Sequence, residues 1–191
     1  MIIREEISNK IRPFYQQDLI KVITGIRRCG KSVLLFNLFK DYLLSQNIPE
    51  DNIIKIELDQ RRYYKFRNPI TLCEYVESII SKKNDEKFYL FIDEVQFTIK
   101  VEDPENDNII VSIYDMLNEL KAYPNLDVYV TGSNSKGLSR DIATEFRGRA
   151  TQIHVYPLSF KEFYAYIGGD ERKALEKYML YGGMPRILFF S

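Results

Sequence analysis

The stretch GIRRCGKS at 25–32 combines glycine, lysine and serine at a spacing suited to holding phosphate groups. Gly, four free positions and then Gly-Lys-Ser is the pattern of a loop whose backbone N–H groups surround phosphates while its lysine reaches the β- and γ-phosphates. Gly25 and Gly30 would permit positive φ and a close backbone approach to a ligand, which a Cβ would obstruct. Ser32 would offer its hydroxyl to Mg²⁺. The spacing therefore predicts a loop that binds nucleotide phosphates.

A second pair of chemically useful residues closes the apolar run KFYLFIDE at 87–94. A buried strand ending in two acids would deliver Asp93 to Mg²⁺, which prefers hard oxygen ligands. Glu94 would then polarise the water that attacks the γ-phosphate, so the pair favours hydrolysis over simple nucleotide holding. A strand ending in a solvated acidic turn is the alternative, and the phosphate loop earlier in the chain makes it the weaker interpretation.

The elements around these residues must position them. LIKVITG at 19–25 predicts a strand and KSVLLFNLFKDYLLSQN at 31–47 a helix, and strand, glycine loop, helix is the setting that the phosphate loop requires. Further strands are predicted at 52–58, 126–133 and 149–159, and helices at 69–83 and 109–123; the acidic stretch 99–108 breaks the pattern as a solvated insertion. Alternating strands and helices predict a mostly parallel five-stranded sheet in a three-layer α/β/α fold, with ligands beyond the carboxyl ends of the strands.

Composition excludes several function classes. The chain has 191 residues, and 27 basic residues balance 27 acidic ones, so no global electrostatic footprint for nucleic acid or an anionic membrane is present. Two cysteines, Cys29 and Cys73, form neither a disulfide framework nor a metal quartet. The charged start and the absence of an 18-residue apolar run give no signal peptide or membrane span. We therefore expect a cytoplasmic protein without membrane contact.

The motifs, taken in order, resemble those of AAA+ ATPases. After the phosphate loop come FIDEVQ (91–96), YVTGSNS (129–135), FRGRATQIHVYPLSFKEF (146–163) and YGGMP (181–185). The set is most similar to a prokaryotic branch with GxRRxGKS, DExQ, TGS, GR…PLSFxEF and GGxP, in which a C-terminal domain of unassigned or nuclease-like character follows. The resemblance covers about residues 15–187.

This resemblance implies a P-loop ATPase core at 1–156 and the beginning of a helical lid at 157–191, with the C-terminal domain missing from the chain. It implies ATP and Mg²⁺ as cofactors and a homo-oligomer formed through the ATP site. The implied nucleotide contacts are Gly25, Ile26, Arg27, Arg28, Cys29, Gly30, Lys31, Ser32, Val33 and, from the lid, Arg186, although an arginine at 186 departs from the branch's pattern. The implied metal ligands are Ser32 and Asp93, and Lys31 and Glu94 carry catalysis.

Two further catalytic roles remain open on sequence alone. A polar group after the fourth strand senses the γ-phosphate in such proteins, and either Ser133 or Asn134 matches, with an ordinary helix cap as the alternative. An arginine donated to a neighbouring subunit would stabilise transition-state charge, and FRGR offers Arg147 and Arg149. We favour Arg149 over Arg147, against the alternative of a surface salt bridge.

A basic and aromatic stretch lies between the second strand and the next helix. It contains Arg61, Arg62, Tyr63, Tyr64, Lys65, Phe66 and Arg67. Stacking aromatics with basic neighbours suit single-stranded nucleic acid, and an aromatic loop also suits an extended peptide. Packing against its own domain or a neighbouring subunit is the alternative, and we favour it.

The expected function is Mg²⁺-dependent ATP hydrolysis that couples nucleotide state to a C-terminal effector or a macromolecular substrate. The guanine-reading motif of GTPases and the Ser-Gly-Gly signature of ABC cassettes are both absent from the sequence, and a nucleotide kinase stays an alternative that explains the later motifs poorly. A nucleotide-gated switch with little or no turnover is the alternative, and Glu94 is the residue that favours turnover over it.

Overall fold

The structure, a computed structural model, describes residues 4–83, 85–133, 140, 144–146 and 148–189. The helices are α1 (Glu5–Ile11), α2 (Lys31–Val33, continued by Leu34–Phe39 and Lys40–Ser45), α3 (Pro69–Ile80), α4 (Ile113–Leu120), α5 (Phe160–Ile167) and α6 (Glu171–Tyr181). The strands are β1 (Ile20–Thr24), β2 (Ile53–Glu57), β3 (Phe88–Asp93), β4 (Val101–Asp103), β5 (Asn106–Val111), β6 (Leu126–Thr131) and β7 (Ala150–His154).

Five parallel strands form the central sheet in the order β2-β3-β6-β1-β7. Strands β1, β3 and β6 are buried along their whole length, as their apolar runs require in a parallel sheet covered on both faces. The chain leaves β1 through α2 and reaches β2 at the edge of the sheet. The carboxyl ends of β1, β3 and β6 therefore lie side by side, and the predicted site residues follow these ends.

Two hydrophobic clusters lie on opposite faces of the sheet. On one face α3 and α4 cover Ile20 and Val22 of β1. Ile23 points to the other face, because alternate side chains of a strand point to opposite sides, and there α1 and α2 cover it. Helices on both faces of a parallel sheet confirm the predicted three-layer α/β/α fold.

The region between β3 and β6 differs from the prediction. The helix expected at 109–123 is wrong in its first part, because residues 106–111 form β5, which pairs antiparallel with β4, and α4 begins only at Ile113. The acidic insertion at 99–108 contains β4, the turn of this hairpin and the start of β5, and in the turn the Asp103 carboxylate accepts from the Glu105 N–H at 2.8 Å. Ser112 then caps α4, with its N–H donating to the Asp115 carboxylate at 2.8 Å.

Residues 157–189 contain α5 and α6, and we call this segment the helical pair. Phe160, Phe163 and Tyr178 pack together between the two helices. The segment that enters the pair is fixed to the segment that leaves it, because the Leu158 N–H donates to the Gly183 carbonyl at 2.6 Å and the Tyr178 hydroxyl donates to the Leu158 carbonyl at 2.7 Å. Across the described part of the chain, no helix is long and apolar enough to span a bilayer.

Candidate nucleotide site at the carboxyl ends of the strands

The phosphate loop connects β1 to α2 and has the backbone conformation that its glycines predict. Gly25 has φ +148° and Gly30 has φ +103°, so both positive φ values are confirmed. A Cβ on Gly25 would lie 2.3 Å from the Val155 carbonyl oxygen, which follows β7. The loop is therefore seated against the backbone of the neighbouring strand's end, and residue 25 must be glycine for this approach.

Lys31 is buried within the loop. Its ammonium donates to the carbonyl oxygens of Gly25 at 3.0 Å and Ile26 at 3.1 Å. Only 5% of the residue is exposed. The charge is thus held by the loop's own carbonyl groups, at the start of α2, where the positive end of the helix adds to the attraction for an anion.

The four residues between the two glycines divide into three exposed ones and one buried one. Ile26, Arg27 and Arg28 are exposed, and Arg28 adopts a left-handed backbone with φ +69°. Cys29 is fully buried beneath the loop in the cluster formed by α1, α2 and the sheet, and burial raises the pKa of its thiol. The double arginine therefore faces solvent, while the cysteine helps to pack the loop. Val33, in the first turn of α2, is also exposed.

Asp93 lies at the end of β3 directly against the loop's serine. Its carboxylate accepts a hydrogen bond from the hydroxyl of Thr131, the last residue of β6, and the Ser32 hydroxyl lies near enough to influence its pKa. Burial raises the pKa of Asp93, while the hydroxyls of Thr131 and Ser32 act in the opposite direction. The structure thus brings together the two residues that the sequence predicts as metal ligands, from elements 61 positions apart.

Glu94, the predicted base, has a left-handed backbone with φ +55° and ψ +50°. Its carboxylate accepts from the side-chain amide of Gln96 and from the backbone N–H of Ser133 at 3.1 Å. Gln96 also donates to the Ser133 hydroxyl at 3.0 Å. The three residues form a hydrogen-bonded triangle that joins the end of β3 to the end of β6, beside Asp93.

The donor set fits magnesium. A serine hydroxyl and one carboxylate supply hard oxygens, and Mg²⁺ is commonly bound by one or two protein ligands together with phosphate oxygens and water. Within the residues that the structure describes, no group of three or more His, Cys, Asp or Glu side chains could hold a metal ion. The residues present at Ser32 and Asp93 therefore suit a cation shared with a phosphate ligand.

Comparison of the sequence with models of known protein families identifies the family to which this chain belongs. The family described as "AAA domain" matches residues 17–164, which contain the loop, Asp93, Glu94 and the whole sheet. The chain belongs to the AAA domain family. Membership confirms the AAA part of the resemblance seen in the sequence, whereas the finer prokaryotic branch and the missing C-terminal domain remain predictions.

The relatives of this AAA domain are longer proteins. A protein of Haemophilus influenzae described as uncharacterized is 34% identical over 193 residues, which cover 98% of this chain and 45% of that protein. The uncharacterized protein MJ1544 of Methanocaldococcus jannaschii is 30% identical over 202 residues, covering 97% of this chain and 39% of that protein. The chain therefore spans less than half the length of these curated relatives.

Among solved structures, the Walker-type ATPase PABY2304 of Pyrococcus abyssi has a similar fold. The TM-score is 0.59 at 22% identity, and the match covers 97% of this chain and 65% of that chain. Hsp104 of Saccharomyces cerevisiae, in a complex with casein, matches with a TM-score of 0.53 at 18% identity, over 93% of this chain and 30% of that chain. At these identities the likeness supports the fold of the AAA domain.

The structure describes Arg149, Arg186 and Ser133 among the predicted arginines and sensor candidates. Arg149 is exposed and precedes β7, at the amino end of the sheet, so it lies at the edge opposite the loop of its own chain. Arg186 is exposed in the short helical turn after α6. Asn134 and Arg147 fall outside the described residues. Of the two sensor candidates, Ser133 is the one whose contacts with Glu94 are described.

The basic and aromatic stretch is a 3₁₀ segment, Arg61–Arg67, packed on the domain. Phe66 is buried, and the Arg67 guanidinium lies 3.9 Å from the Tyr64 ring centroid and 5.0 Å from that of Phe97. The Arg67 carbonyl also accepts from the Ile99 N–H at 2.9 Å. These contacts favour the packing interpretation, since several of the rings and charges contact each other.

Sequence reasoning missed Thr131 and Gln96 as site residues. Both lie inside quoted motifs, in YVTGSNS and FIDEVQ, so the motifs contained them without giving them a role. Thr131 holds the Asp93 carboxylate, and Gln96 holds the Glu94 carboxylate. The signal that could have identified them is their position beside an acidic strand end, where buried carboxylates need donors.

Proposed function

We propose that this AAA domain binds ATP and hydrolyses it to ADP and phosphate with Mg²⁺. One observation carries the proposal: the Asp93 carboxylate, which accepts from Thr131 at the end of β6, lies beside Ser32 of the phosphate loop, and the adjacent Glu94 accepts from the Ser133 N–H. In this proposal the residues of phosphate binding, metal binding and water activation share one edge of the sheet, and membership of the AAA domain family supports these roles.

Each residue of the site has one task in this proposal. Lys31 exchanges the carbonyl oxygens of Gly25 and Ile26 for phosphate oxygens, which carry full negative charge and accept more strongly. Ser32 and Asp93 hold the cation. When bound, Mg²⁺ would neutralise phosphate charge and orient the β- and γ-phosphates. Glu94 accepts the proton of the attacking water, and Ser133 reports on the γ-phosphate through its contact with Glu94.

A nucleotide-gated switch is the second candidate, and one observation favours it. The Glu94 carboxylate already accepts two hydrogen bonds, from Gln96 and from Ser133. Both bonds go to Oε2 and hold the carboxylate toward Gln96 and Ser133, and turnover would stay low if ATP or a partner had to turn this carboxylate toward the attacking water.

Phosphate release and ATP binding, measured together, test the proposal. Lys31→Ala should lose ATP binding, whereas Glu94→Gln should keep binding and lose between about a hundredfold and ten-thousandfold in turnover, the range of a general base. Glu102→Gln, on the exposed hairpin, is the matched control and should behave as the unmodified chain. ATP binding that depends on Lys31 without any phosphate release would support the switch. Equal binding by Lys31→Ala would contradict both candidates.

We further propose that the domain acts within a homo-oligomer and transmits its nucleotide state through the helical pair, acting as a lid, to an effector domain or a macromolecular substrate. The length of the curated relatives, which extends well beyond the matched part, supports the effector domain, and the position of Arg149 at the edge opposite its own loop supports the homo-oligomer. Nucleic acid remains the partner that the basic segment would suit, through Arg61, Arg62 and Tyr64 at its surface.

A further inference from the structure

Arg4 is a buried cation that contacts both the phosphate loop and the helical pair. Only 4% of the residue is exposed. Its guanidinium donates to the Cys29 carbonyl at 2.8 Å and to both carboxylate oxygens of Glu162 on α5, each at 3.3 Å. It also donates to the carbonyl oxygens of Tyr156 at 2.9 Å and Pro157 at 3.3 Å, between β7 and α5. One side chain therefore joins three segments that are distant in sequence.

The contact with the Cys29 carbonyl fixes the direction of a loop N–H group. The Cys29–Gly30 peptide is trans, as are all peptide bonds of the described residues. In a planar trans peptide the C=O and N–H groups point in opposite directions. Because Arg4 holds the Cys29 carbonyl, the Gly30 N–H is directed away from Arg4, on the phosphate side of the loop in the proposed function. A Cβ on Gly30 would lie 3.1 Å from the Arg4 guanidinium, so the two groups are in close contact.

Through Glu162, Arg4 is connected to the hydrogen bonds that hold the two ends of the helical pair together. The Glu162 carboxylate also accepts from the Ser159 N–H at 2.9 Å, which completes the capping box at the start of α5. The preceding residue, Leu158, is bonded to Gly183 and Tyr178 as described above. A shift of Arg4 would therefore disturb both the start of α5 and its hydrogen bonds to the Tyr156 and Pro157 carbonyl groups, at the entry to the helical pair.

We propose that Arg4 is a positioning residue that couples the conformation of the phosphate loop to the position of the helical pair. A guanidinium can satisfy several acceptors at fixed angles, and a change at one acceptor alters the geometry at the others. Occupation of the loop and closure of the helical pair are then linked, each favouring the other to the same extent. The part of this inference that concerns nucleotide rests on the proposed function.

The first experiment needs no nucleotide. Hydrogen–deuterium exchange of residues 25–32 is compared between the unmodified chain and Glu162→Gln, which keeps the shape and the capping box but removes the charge facing Arg4. We expect exchange in the loop to become about tenfold faster, the scale of one hydrogen bond to a charged group. Amides of β3 serve as the internal reference for global unfolding. Glu176→Gln, which removes the exposed pair with Arg172 on α6, is the matched control.

Arg4→Lys supplies the second variant, because lysine keeps the charge but cannot bond all these acceptors in the same geometry. Arg4→Lys should make amide exchange faster in both the loop and the helical pair. The double variant with Glu162→Gln should exchange no faster than the faster of the two single variants. Loop exchange unchanged by Glu162→Gln, or effects of the two substitutions that add in the double variant, would overturn the coupling.

Calorimetric titration with Mg·ATP extends the test to the ligand. Both variants should bind ATP about tenfold more weakly, and ATP should protect the amides of α5 and α6 in the unmodified chain but not in Glu162→Gln. Equal protection of α5 and α6 in both proteins would contradict the coupling. If the unmodified chain binds no ATP, the proposed function fails, whereas the exchange experiment without nucleotide still decides the role of Arg4.

Discussion

At the scale of single residues, Gln96 determines where the Glu94 carboxylate lies. Its amide donates to Glu94 and to the Ser133 hydroxyl, so it joins the proposed base to the proposed sensor. The side chain is exposed, and the triangle contributes to the orientation of Glu94 more than to the stability of the fold. A residue in this position should affect catalysis without affecting nucleotide binding.

We therefore expect Gln96→Ala to lower kcat about tenfold. The substitution removes one hydrogen bond that orients the charged Glu94 base, and the free energy of such a bond corresponds to a rate change of this order. The affinity for ATP should not change, because Gln96 is not among the predicted phosphate or metal contacts. Phosphate release at saturating ATP, with calorimetric titration, measures both quantities. Gln17→Ala is the control, since the exposed Gln17 amide donates to the Pro13 carbonyl at 2.6 Å, before β1 at the opposite end of the sheet. A parallel loss of affinity would show that Gln96 contacts the nucleotide.

At the scale of elements, a buried ion pair joins β1 to β6 at their amino ends. The Lys21 ammonium donates to the Asp127 carboxylate and to the Gln17 carbonyl at 2.5 Å. Asp127 also accepts from the Tyr129 hydroxyl at 2.9 Å and the Gln16 N–H at 3.2 Å. Burial raises the pKa of Asp127 and lowers that of Lys21, while the attraction between the two charges opposes both changes. Each of the two buried charges is therefore stabilised mainly by its contact with the other.

Lys21→Met should destabilise the chain by about 3–5 kcal/mol, because it leaves a buried carboxylate without its cation. Adding Asp127→Asn should recover most of this loss, since the neutral amide oxygen can still accept from Tyr129 and Gln16. Urea unfolding measures both. ATP binding by the folded double variant should be unchanged, because the pair lies at the end of β1 opposite the loop. A double variant as unstable as Lys21→Met would show that packing of the Lys21 side chain, and not charge, is the cause.

The same pair predicts a dependence on pH. In Lys21→Met the pKa of Asp127 loses the lowering influence of the cation, so it rises further above its value in the unfolded chain. A raised native pKa means that the folded state takes up a proton at a pH where the unfolded state does not, and protonation stabilises the fold. The stability difference between Lys21→Met and the unmodified chain should therefore narrow as pH falls. Urea unfolding over a pH series tests this, and a constant difference would contradict it.

These elements also show what the sequence could and could not predict. The run LIKVITG predicts β1, and GIRRCGKS predicts its loop, because strand periodicity and glycine conformation are local properties. Lys21 in that run gave no signal, since its partner Asp127 is 106 positions away and becomes a neighbour only when β1 pairs with β6. The hairpin of β4 and β5 was missed because Ile109 and Ile110 fit a helical pattern as well as a strand.

At the scale of the whole molecule, the predicted site residues lie at two opposite edges of the sheet. The loop follows Thr24 at the carboxyl end of β1, while Arg149 precedes Ala150 at the amino end of β7, and these parallel strands pair in register from Ile20 with Ala150 to Thr24 with His154. Five residues of strand separate the two ends by about 16 Å. Arg149 therefore lies too far from its own loop to contact a γ-phosphate there, and any role in the reaction requires the loop of a second copy.

Mixing two inactive variants tests this requirement directly. Arg149→Ala should lose on the order of a thousandfold in turnover, the scale of an arginine supplied in trans, while it still binds ATP. Lys31→Ala cannot bind ATP but keeps Arg149. A mixture should release phosphate well above the sum of the separate variants, because the intact loop of one copy meets the arginine of the other, and release per chain should rise with protein concentration. Arg172→Ala, on the exposed face of α6, is the control. If Arg149→Ala loses turnover and mixing does not restore it, the trans role would pass to Arg147 or to a partner outside this chain. Unchanged turnover in Arg149→Ala would mean that Arg149 is an ordinary surface residue.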